Sequence, residues 1–338
     1  MRQTCRACGE PVGDSDGFCE ACGAELAPAV DSAGTDAQAP ECPVCAADES
    51  IPPPGITEDG YCENCGRKVP SGRDHVELDI GLAAGVSDRG LRHSRNEDAM
   101  AMASATPDGE PVVVAVVCDG VSSAPRADEA SLAAVRSAIR VLLSGVRTRD
   151  DHEELSTAAG HAAGDALSAL ADPAGSPAAT YTSAIVTPRG ITFSWLGDSR
   201  VYWLDADGSK SRCLTRDDSL AEEVIAAGLA TPEQAMEMPQ AHVITRWLGA
   251  DMPDPDPHVE RFTPPGPGVL LLCSDGLWNY RPDADRLAAM ALPAAQTEPL
   301  AISTEFVKFA VEEGGMDNIT AVLVPFPPAG PEMLARSD

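Results

Sequence analysis

The stretch VVVAVVCDG at residues 112–120 decides the fold class. Its first seven residues are apolar and mostly β-branched, which predicts a buried strand. A second run of this kind, VLLLC at residues 269–273, is followed by Ser-Asp-Gly. Both runs therefore end close to an Asp-Gly pair, which contains Asp119 in the first case and Asp275 in the second. Carboxylates at the ends of apolar strands are held rigidly, so both aspartates are candidate functional residues.

Strands and helices alternate on either side of these two runs. Short connections between the strands of residues 181–204 favour antiparallel pairing. Apolar residues at helical spacing between Asp128 and Val146 predict a helix. Further strands are predicted at residues 181–186, 191–195, 201–204 and 319–324, and further helices at residues 150–170 and 299–313. From about His75 onward we therefore expect an α+β module with meandering sheets that helices cover.

The composition excludes several classes of partner. The 338 residues include 53 Asp and Glu against 24 Lys and Arg, a formal net charge of -29. An acidic surface repels phosphate backbones and anionic lipid headgroups, so we expect no binding to nucleic acid or membranes. The longest apolar runs are too short to span a bilayer. The first residues carry no apolar leader, and we expect a cytoplasmic protein.

Cysteine spacing predicts a separate metal-binding module at the N-terminus. Eight of the 11 cysteines form four CxxC pairs, namely Cys5 and Cys8, Cys19 and Cys22, Cys42 and Cys45, and Cys62 and Cys65. In a reducing compartment, two CxxC pairs on a short hairpin are typical of a four-thiolate zinc site. We therefore expect two Zn²⁺ ions. Consecutive pairs could share each ion, and a crossed arrangement is also consistent with the spacing.

The domain boundaries follow from these two patterns. We predict a double zinc ribbon at residues 1–70, with a flexible link at about residues 27–41, and the large module at residues 75–326. The Pro-rich tail, residues 327–338, is predicted to be disordered. Residues 1–75 hold 5 basic and 14 acidic side chains, which disfavours nucleic-acid binding by the ribbon.

A third carboxylate completes a candidate cation site in the large module. Asp317 stands at the start of the predicted strand of residues 319–324. Together with Asp119 and Asp275 it offers oxygen ligands at strand ends, and oxygen ligands select Mg²⁺ or Mn²⁺ over zinc. Gly120 would allow a main-chain carbonyl to approach a cation without steric conflict.

The order of motifs along the large module is specific. In sequence they are SDRG at 87, RNEDA at 95, VCDG at 117, GDSRVY at 197, LTRDDS at 214, ITRWLG at 244, LLLCSDGLW at 270 and DNITAVLV at 317. From about Leu78 to Pro325, the chain resembles the metal-dependent PPM-type (type 2C) protein serine/threonine phosphatases. The resemblance implies a sandwich of two antiparallel sheets flanked by helices.

The resemblance also implies a chemistry and a set of roles. Asp119 would bridge two Mn²⁺ or Mg²⁺ ions. The Gly120 carbonyl would bind one of these ions, and Asp275 and Asp317 would bind the other. The resemblance also allows a third ion. Water held by both ions would attack phosphoserine or phosphothreonine. Glu97 and Asp98 would act through bound water, whereas Asp198 and Arg200 would be structural. Residues 217–241 would form a flap over the site. The implied partners are phosphorylated proteins, either serine/threonine kinases or their targets.

Two departures from the family pattern bear on substrate binding. Many relatives have an arginine that grips phosphate four residues before Glu97, where this chain has His93. Arg92, His93 or Arg95 could take that role. Serines occupy positions 122 and 123, where the family has two glycines. Because these changes affect substrate fit, a second hypothesis is a signalling adaptor that retains the fold without catalysis.

Overall fold

The computed structural model describes residues 72–328, except residues 149–150, 208–209 and 253–254. In the first 71 residues it describes only 3–4, 11–12, 30–31, 45, 55, 57, 61–67 and 69. The predictions for Cys5, Cys8, Cys19, Cys22 and Cys42 lie outside the described residues, as does nearly all of the predicted tail.

Fourteen strands, seven α-helices and two short 3-10 helices, Pro107–Gly109 and Ala294–Gln296, are described. The strands are β1 Gln3–Thr4, β2 Pro11–Val12, β3 Val30–Asp31, β4 His75–Asp79, β5 Ala84–Asp88, β6 Asp98–Ala105, β7 Val112–Asp119, β8 Tyr181–Thr187, β9 Gly190–Leu196, β10 Arg200–Asp205, β11 Arg212–Cys213, β12 His258–Phe262, β13 Gly268–Cys273 and β14 Ile319–Phe326. The helices are α1 Ala127–Gly145, α2 His152–Ser168, α3 Leu220–Ala226, α4 Pro232–Met236, α5 Asp275–Trp278, α6 Ala284–Ala291 and α7 Pro299–Glu312. The predicted strands and helices of the large module are confirmed to within two residues at each end.

Twelve of the strands form two antiparallel six-stranded sheets, and β1 and β2 form a separate pair. Strand order is β11-β10-β13-β14-β5-β4 in the first sheet and β12-β9-β8-β7-β6-β3 in the second. Apolar side chains of both sheets make one core between them, while α1 and α2 cover the outer face of the second sheet. Helices α5, α6 and α7 cover the outer face of the first sheet. The α+β sandwich expected from the sequence is confirmed.

Both faces of β7 are buried, which explains its continuous apolar sequence. Val113, Ala115 and Val117 contact the core between the sheets, and the alternate residues contact α1 and α2. Because side chains alternate along a strand, Asp119 continues the row that faces between the sheets. The end of β7 thus places a carboxylate at the polar end of the sandwich core.

Two described residues of the predicted flexible link form a strand. Val30–Asp31, inside the predicted flexible link, pairs antiparallel with β6 at Met102 and Ala101. At these two residues the link is a strand at the edge of the second sheet. It pairs with main-chain hydrogen-bonding groups of β6 that an edge strand otherwise leaves free. β1 and β2 also pair with each other, on either side of the first predicted CxxC pair.

In the part of the chain that the structure describes, no helix is both long enough and apolar enough to cross a membrane.

Candidate active site

Four acidic residues at one end of the core come from both sheets. Asp98, the first residue of β6, lies opposite Asp119, the last residue of β7. On the other sheet, Asp275 begins α5 directly after β13, and Asp317 precedes β14 by two residues. β13 and β14 are neighbours. The predicted carboxylates are therefore brought together at one end of the sandwich, where their negative charges repel one another.

Asp98 is a buried acidic residue of this site that hydrogen bonds hold in place. Its Oδ2 accepts hydrogen bonds from the hydroxyls of Ser274 and Thr320, each at 2.7 Å. Ser87 continues the network, since its hydroxyl lies 2.8 Å from that of Thr320. Asp98 is 1% exposed. Two hydroxyls from the opposite sheet therefore fix a buried carboxylate directly beside Asp119.

Burial, with repulsion within the cluster, raises the pKa values of these carboxylates. Burial, followed by repulsion from Asp98 and Asp275, raises the pKa of Asp119 well above its ordinary value. Burial and then repulsion from Asp198 do the same to the pKa of Asp275. For Asp98, burial raises the pKa to about 6, although the two hydroxyl hydrogen bonds oppose this shift. Without a cation, the cluster therefore retains protons that isolated carboxylates would lose.

The donor atoms fit divalent cations. Asp98 Oδ1 and Asp275 Oδ1 are buried and accept no hydrogen bond from any described residue. A buried carboxylate oxygen without a partner costs free energy, which a bound cation would recover. Gly120 lies where a Cβ would collide with the main-chain oxygen atoms of Ala127 and Glu97. Carboxylate oxygens are the donors that Mn²⁺ and Mg²⁺ prefer.

His93 connects two of the predicted acidic residues. Its Nε2 is 3.2 Å from Asp317 Oδ1, and its Nδ1 is 3.8 Å from Glu97 Oε2. Ser122, one of the serines in place of the family glycines, donates to Glu97 Oε2 at 2.5 Å. The two departures from the family pattern thus contact the same carboxylate, Glu97.

The two neighbouring arginines are placed differently. Arg95 lies 3.6 Å from Asp128 Oδ1, at the start of α1. Arg92 is exposed, and among the described residues it forms no ion pair. Three residues are candidates for binding the substrate phosphate. Among them, Arg92 is the one whose positive charge no described carboxylate offsets.

Two residues that sequence reasoning missed hold this site together. Arg73 donates from Nη2 to the main-chain oxygen of Asp98 at 3.1 Å and from Nη1 to that of Asp128 at 2.9 Å. Asn318 accepts from the Glu97 amide at 2.7 Å and donates to the main-chain oxygen atoms of Arg89 and Arg95. Asn318 directly follows Asp317 in the sequence, and this position could have indicated a role at the site. No sequence signal points to Arg73.

The GDSR motif supports the site from one side. Arg200 forms a two-point contact with Asp217, at 2.9 and 2.8 Å, and its guanidinium stacks on Trp278. Trp278 in turn donates to the main-chain oxygen of Asp198 at 2.9 Å. Burial and then repulsion from Asp217 raise the pKa of Asp198 to about 7. These contacts join the first residue of the predicted flap to α5, which begins with Asp275.

The flap itself contains the short helices α3 and α4. Ser219 caps α3, and Thr231 and Gln234 form a capping box on α4. The two helices share a small core of Ala221, Ala235 and Ala241. Sequence reasoning placed this segment over the site without assigning its helices.

The described cysteines of the N-terminal region form a cluster. The sulfur atoms of Cys45, Cys62 and Cys65 lie within 4.8 Å of one another. Cys62 Sγ is 3.7 Å from Cys45 Sγ, and neither cysteine is in a disulfide. Tetrahedral coordination with Zn–S bonds of about 2.3 Å would separate the sulfur atoms by about 3.8 Å. By contrast, Cys118 and Cys273 are fully buried in the large module, as expected for packing residues.

Comparison with known proteins identifies the family. Residues 89–308 match the profile of the protein phosphatase 2C family. The serine/threonine phosphatase stp of Listeria innocua is 34% identical over 147 residues, an alignment that spans 43% of this chain and about half, 55%, of that protein. The crystal structure of the Mycobacterium tuberculosis phosphatase PstP/Ppp is 26% identical with a TM-score of 0.58, over 74% of this chain and 99% of that one. The PstP catalytic domain in complex with 2 manganese ions has a TM-score of 0.56 at 25% identity, over 72% of this chain and 96% of that one. With the same two-sheet sandwich and a family match over most of the large module, the chain belongs to the protein phosphatase 2C family.

Proposed function

We propose that this chain hydrolyses phosphoserine and phosphothreonine in proteins, using two Mn²⁺ or Mg²⁺ ions. One observation carries the proposal: carboxylates from both sheets meet at one end of the sandwich with buried oxygen atoms that lack partners among the described residues. Asp119, Asp275 and Asp317 would hold the cations, and the Gly120 carbonyl would complete the set. A structural relative binds 2 manganese ions, which supports the choice of cation. A third ion remains open.

Each residue has a distinct task in this proposal. When bound, two divalent cations would neutralise the phosphoryl oxygens and lower the pKa of the attacking water. Asp98 Oδ2 is fixed by Ser274 and Thr320, and its unpaired Oδ1 would accept a hydrogen bond from water bound to a cation. Glu97 accepts from Ser122 and orients water at the rim. The buried strand ends hold these groups in place before substrate arrives, which lowers the cost of organising the reaction.

The substrate phosphate would be held by Arg92. This side chain is exposed beside His93, and no described carboxylate neutralises it. His93 is already engaged with Asp317 and Glu97, and Arg95 with Asp128. The guanidinium of Arg92 could therefore form two parallel hydrogen bonds with phosphoryl oxygens.

A phosphate-release assay tests the proposed activity. The full chain would be incubated with a phosphothreonine peptide, with and without added Mn²⁺. We expect Mn²⁺-dependent release of phosphate that Asp275→Asn abolishes. Absence of turnover by pure, folded protein that has bound Mn²⁺ would reject the proposal.

A signalling adaptor without catalysis is the second candidate. It is favoured by Ser122 and Ser123 in the loop and by His93 in place of the family arginine. An adaptor does not require two catalytic cations, so calorimetric titration with Mn²⁺ separates the two functions.

We also propose zinc binding by the N-terminal cysteines. The 3.7 Å separation of the Cys45 and Cys62 sulfur atoms supports a tetrahedral site with Cys65 and Cys42. Cys5, Cys8, Cys19 and Cys22 would form the second site by the same spacing argument. Elemental analysis should find two zinc ions per chain and about one in Cys62→Ala. Cys213→Ser, a change in the large module, serves as the matched control and should retain both.

The ribbon would serve regulatory or partner contacts. Phosphorylated proteins, either serine/threonine kinases or their targets, are the proposed partners. Reduced thiols persist in a reducing compartment, so the cytoplasm is the proposed location. Deletion of residues 1–70 tests the ribbon: unchanged kinetics together with unchanged partner binding would exclude a regulatory role.

A further inference from the structure

Most of the exposed large hydrophobic side chains of the described residues belong to two segments, the flap region and the rim beside Asp317. Six large apolar side chains are exposed, and five of them lie on the flap, just after it, or on the rim of the site. Leu229, Met236 and Val243 belong to the flap region, whereas Leu91 and Met316 belong to the rim. Scattered exposed apolar residues need no explanation, but a concentration beside a reactive site indicates a binding surface.

The rim and the flap each contact the segment of residues 275–280, which begins with Asp275. The Leu91 amide donates to the main-chain oxygen of Gly315 at 2.8 Å, which places Leu91 beside Met316. The Met316 amide in turn donates to the Tyr280 hydroxyl at 3.0 Å. On the flap side, the His242 ring lies 6.0 Å from the ring of Trp278, in the helix that begins with Asp275. Both groups of exposed apolar side chains therefore belong to segments that contact residues 275–280, next to Asp275.

The same region is strongly acidic. Residues 217–245 contain six carboxylates and no lysine or arginine. Asp217 and Asp218 are engaged with Arg200 and with His258 and Arg246. The other four are glutamates at positions 222, 223, 233 and 237, and three of these are exposed. A ligand bound to this surface would cover the exposed apolar side chains. It would also lie close to glutamates whose negative charge no lysine or arginine of residues 217–245 offsets.

We propose that the flap and rim form a docking surface for substrate segments that carry both apolar and basic residues beside the phosphorylated residue. The proposal rests on the proposed function and specifies its substrate class. Charge complementarity selects this occupant, because an acidic flank would be repelled by the flap glutamates. The apolar side chains would be covered by leucine-like residues of the substrate. Arg92, on the rim, would remain available for the phosphate.

Peptide binding tests this proposal separately from catalysis. The probe is a fluorescent phosphothreonine peptide with arginine and leucine flanks, compared with a peptide in which aspartate replaces arginine and serine replaces leucine. Fluorescence anisotropy with the full chain, without added Mn²⁺, gives both Kd values. We expect the basic, apolar peptide to bind at least about fivefold tighter, and this preference to weaken as salt rises. Equal Kd values would overturn the proposal, whereas absent phosphate release would reject only the proposed activity.

Two double variants test whether the flap is responsible for the preference for the basic, apolar peptide. Replacing Glu233 and Glu237 by lysine together should weaken binding of the basic peptide about fivefold to tenfold, and this loss should shrink in high salt. Replacing Leu229 and Met236 by serine should weaken binding by an amount that salt changes little, because burial of apolar surface is not screened. Glu305→Lys, an exposed charge reversal on α7, is the matched control and should leave the Kd ratio unchanged. A Kd ratio unaltered by both flap variants would overturn the proposal.

Discussion

Asp98 and Asp119 lie opposite each other across the β6–β7 pair, and the pKa of each carboxyl group is raised above its ordinary value. Burial is the largest cause in both, and repulsion within the cluster adds to it. Bound cations, as proposed, would offset this burial and repulsion. Without them, the folded chain holds protons that the unfolded chain would release.

The first prediction concerns stability against pH. Asp98 and Asp198 have folded pKa values of about 6 and about 7, against an ordinary value of 3.8. Because the folded state binds more protons between these limits, the unfolding free energy of the cation-free protein should fall as pH rises from about 4 to about 7. Mn²⁺ should reverse this trend, because it displaces the protons. Thermal unfolding at several pH values, with and without Mn²⁺, measures both effects.

Saturation with Mn²⁺ at about 100 times its Kd should stabilise the protein by about 2.7 kcal/mol per site at neutral pH. A smaller stabilisation is expected near pH 5, where protons compete. Equal stabilisation at both pH values would contradict the assignment of the carboxylates as the cation ligands.

The second prediction concerns Asp275→Asn. The amide cannot supply a charged ligand, so phosphate release should fall by at least about 100-fold, a barrier increase of about 2.7 kcal/mol. The variant should remain folded, and its melting temperature without Mn²⁺ should be equal or higher, because one repelling charge is removed. Asp207→Asn, at an exposed turn residue, is the matched control and should retain activity. Unfolding of Asp275→Asn would instead indicate a structural role.

The third prediction concerns Arg92. Arg92→Ala should raise KM for a phosphothreonine peptide about tenfold or more, since a charge-assisted contact to phosphate is lost. Arg92→Lys should restore part of the loss, because lysine keeps the charge without the planar fork. Arg95→Ala, which removes the ion pair with Asp128, provides the comparison. If only Arg95→Ala raises KM, the phosphate contact is wrongly assigned.

The fourth prediction concerns Arg73, which holds the main chain at Asp98 and at the start of α1. Arg73→Ala should lower kcat about tenfold with little change in KM and should weaken Mn²⁺ binding, because it removes the hydrogen bonds that hold the main chain at Asp98 and Asp128. Arg73→Lys should recover part of kcat, since it can restore one contact. Arg286→Ala, an exposed residue paired with Asp283, is the control. A loss of melting temperature without a change in Mn²⁺ affinity would indicate a purely structural role.

Strand-end aspartates could be found from the sequence because their positions follow local rules. Val112–Asp119 and Gly268–Cys273 are nearly continuous apolar runs, and the residues at the end of such a run lie at the edge of the sandwich core. Asp98 shows the limit of this reasoning. It was selected through a motif, but its burial and its hydrogen bonds to Ser274 and Thr320 arise from residues more than 170 positions away.

Other features depend on tertiary contacts that no local pattern encodes. Arg73 reaches Asp98 and Asp128 only after the chain has folded into its sheets and helices. The pairing of Val30–Asp31 with β6 was missed because a polar, Gly-containing stretch is typical of a link. The flap helices are short and stabilised by caps, and α4 has only five residues, too few for a helical period to emerge.

Calorimetric titration with Mn²⁺ tests the central claim, a two-cation site built from the carboxylates around Asp119, most directly. The full chain should bind two Mn²⁺ ions at neutral pH with release of protons. Asp119→Asn should bind fewer ions or bind them far more weakly. A wild-type chain that binds no Mn²⁺, or an Asp119→Asn variant that binds two with unchanged affinity, would contradict the account.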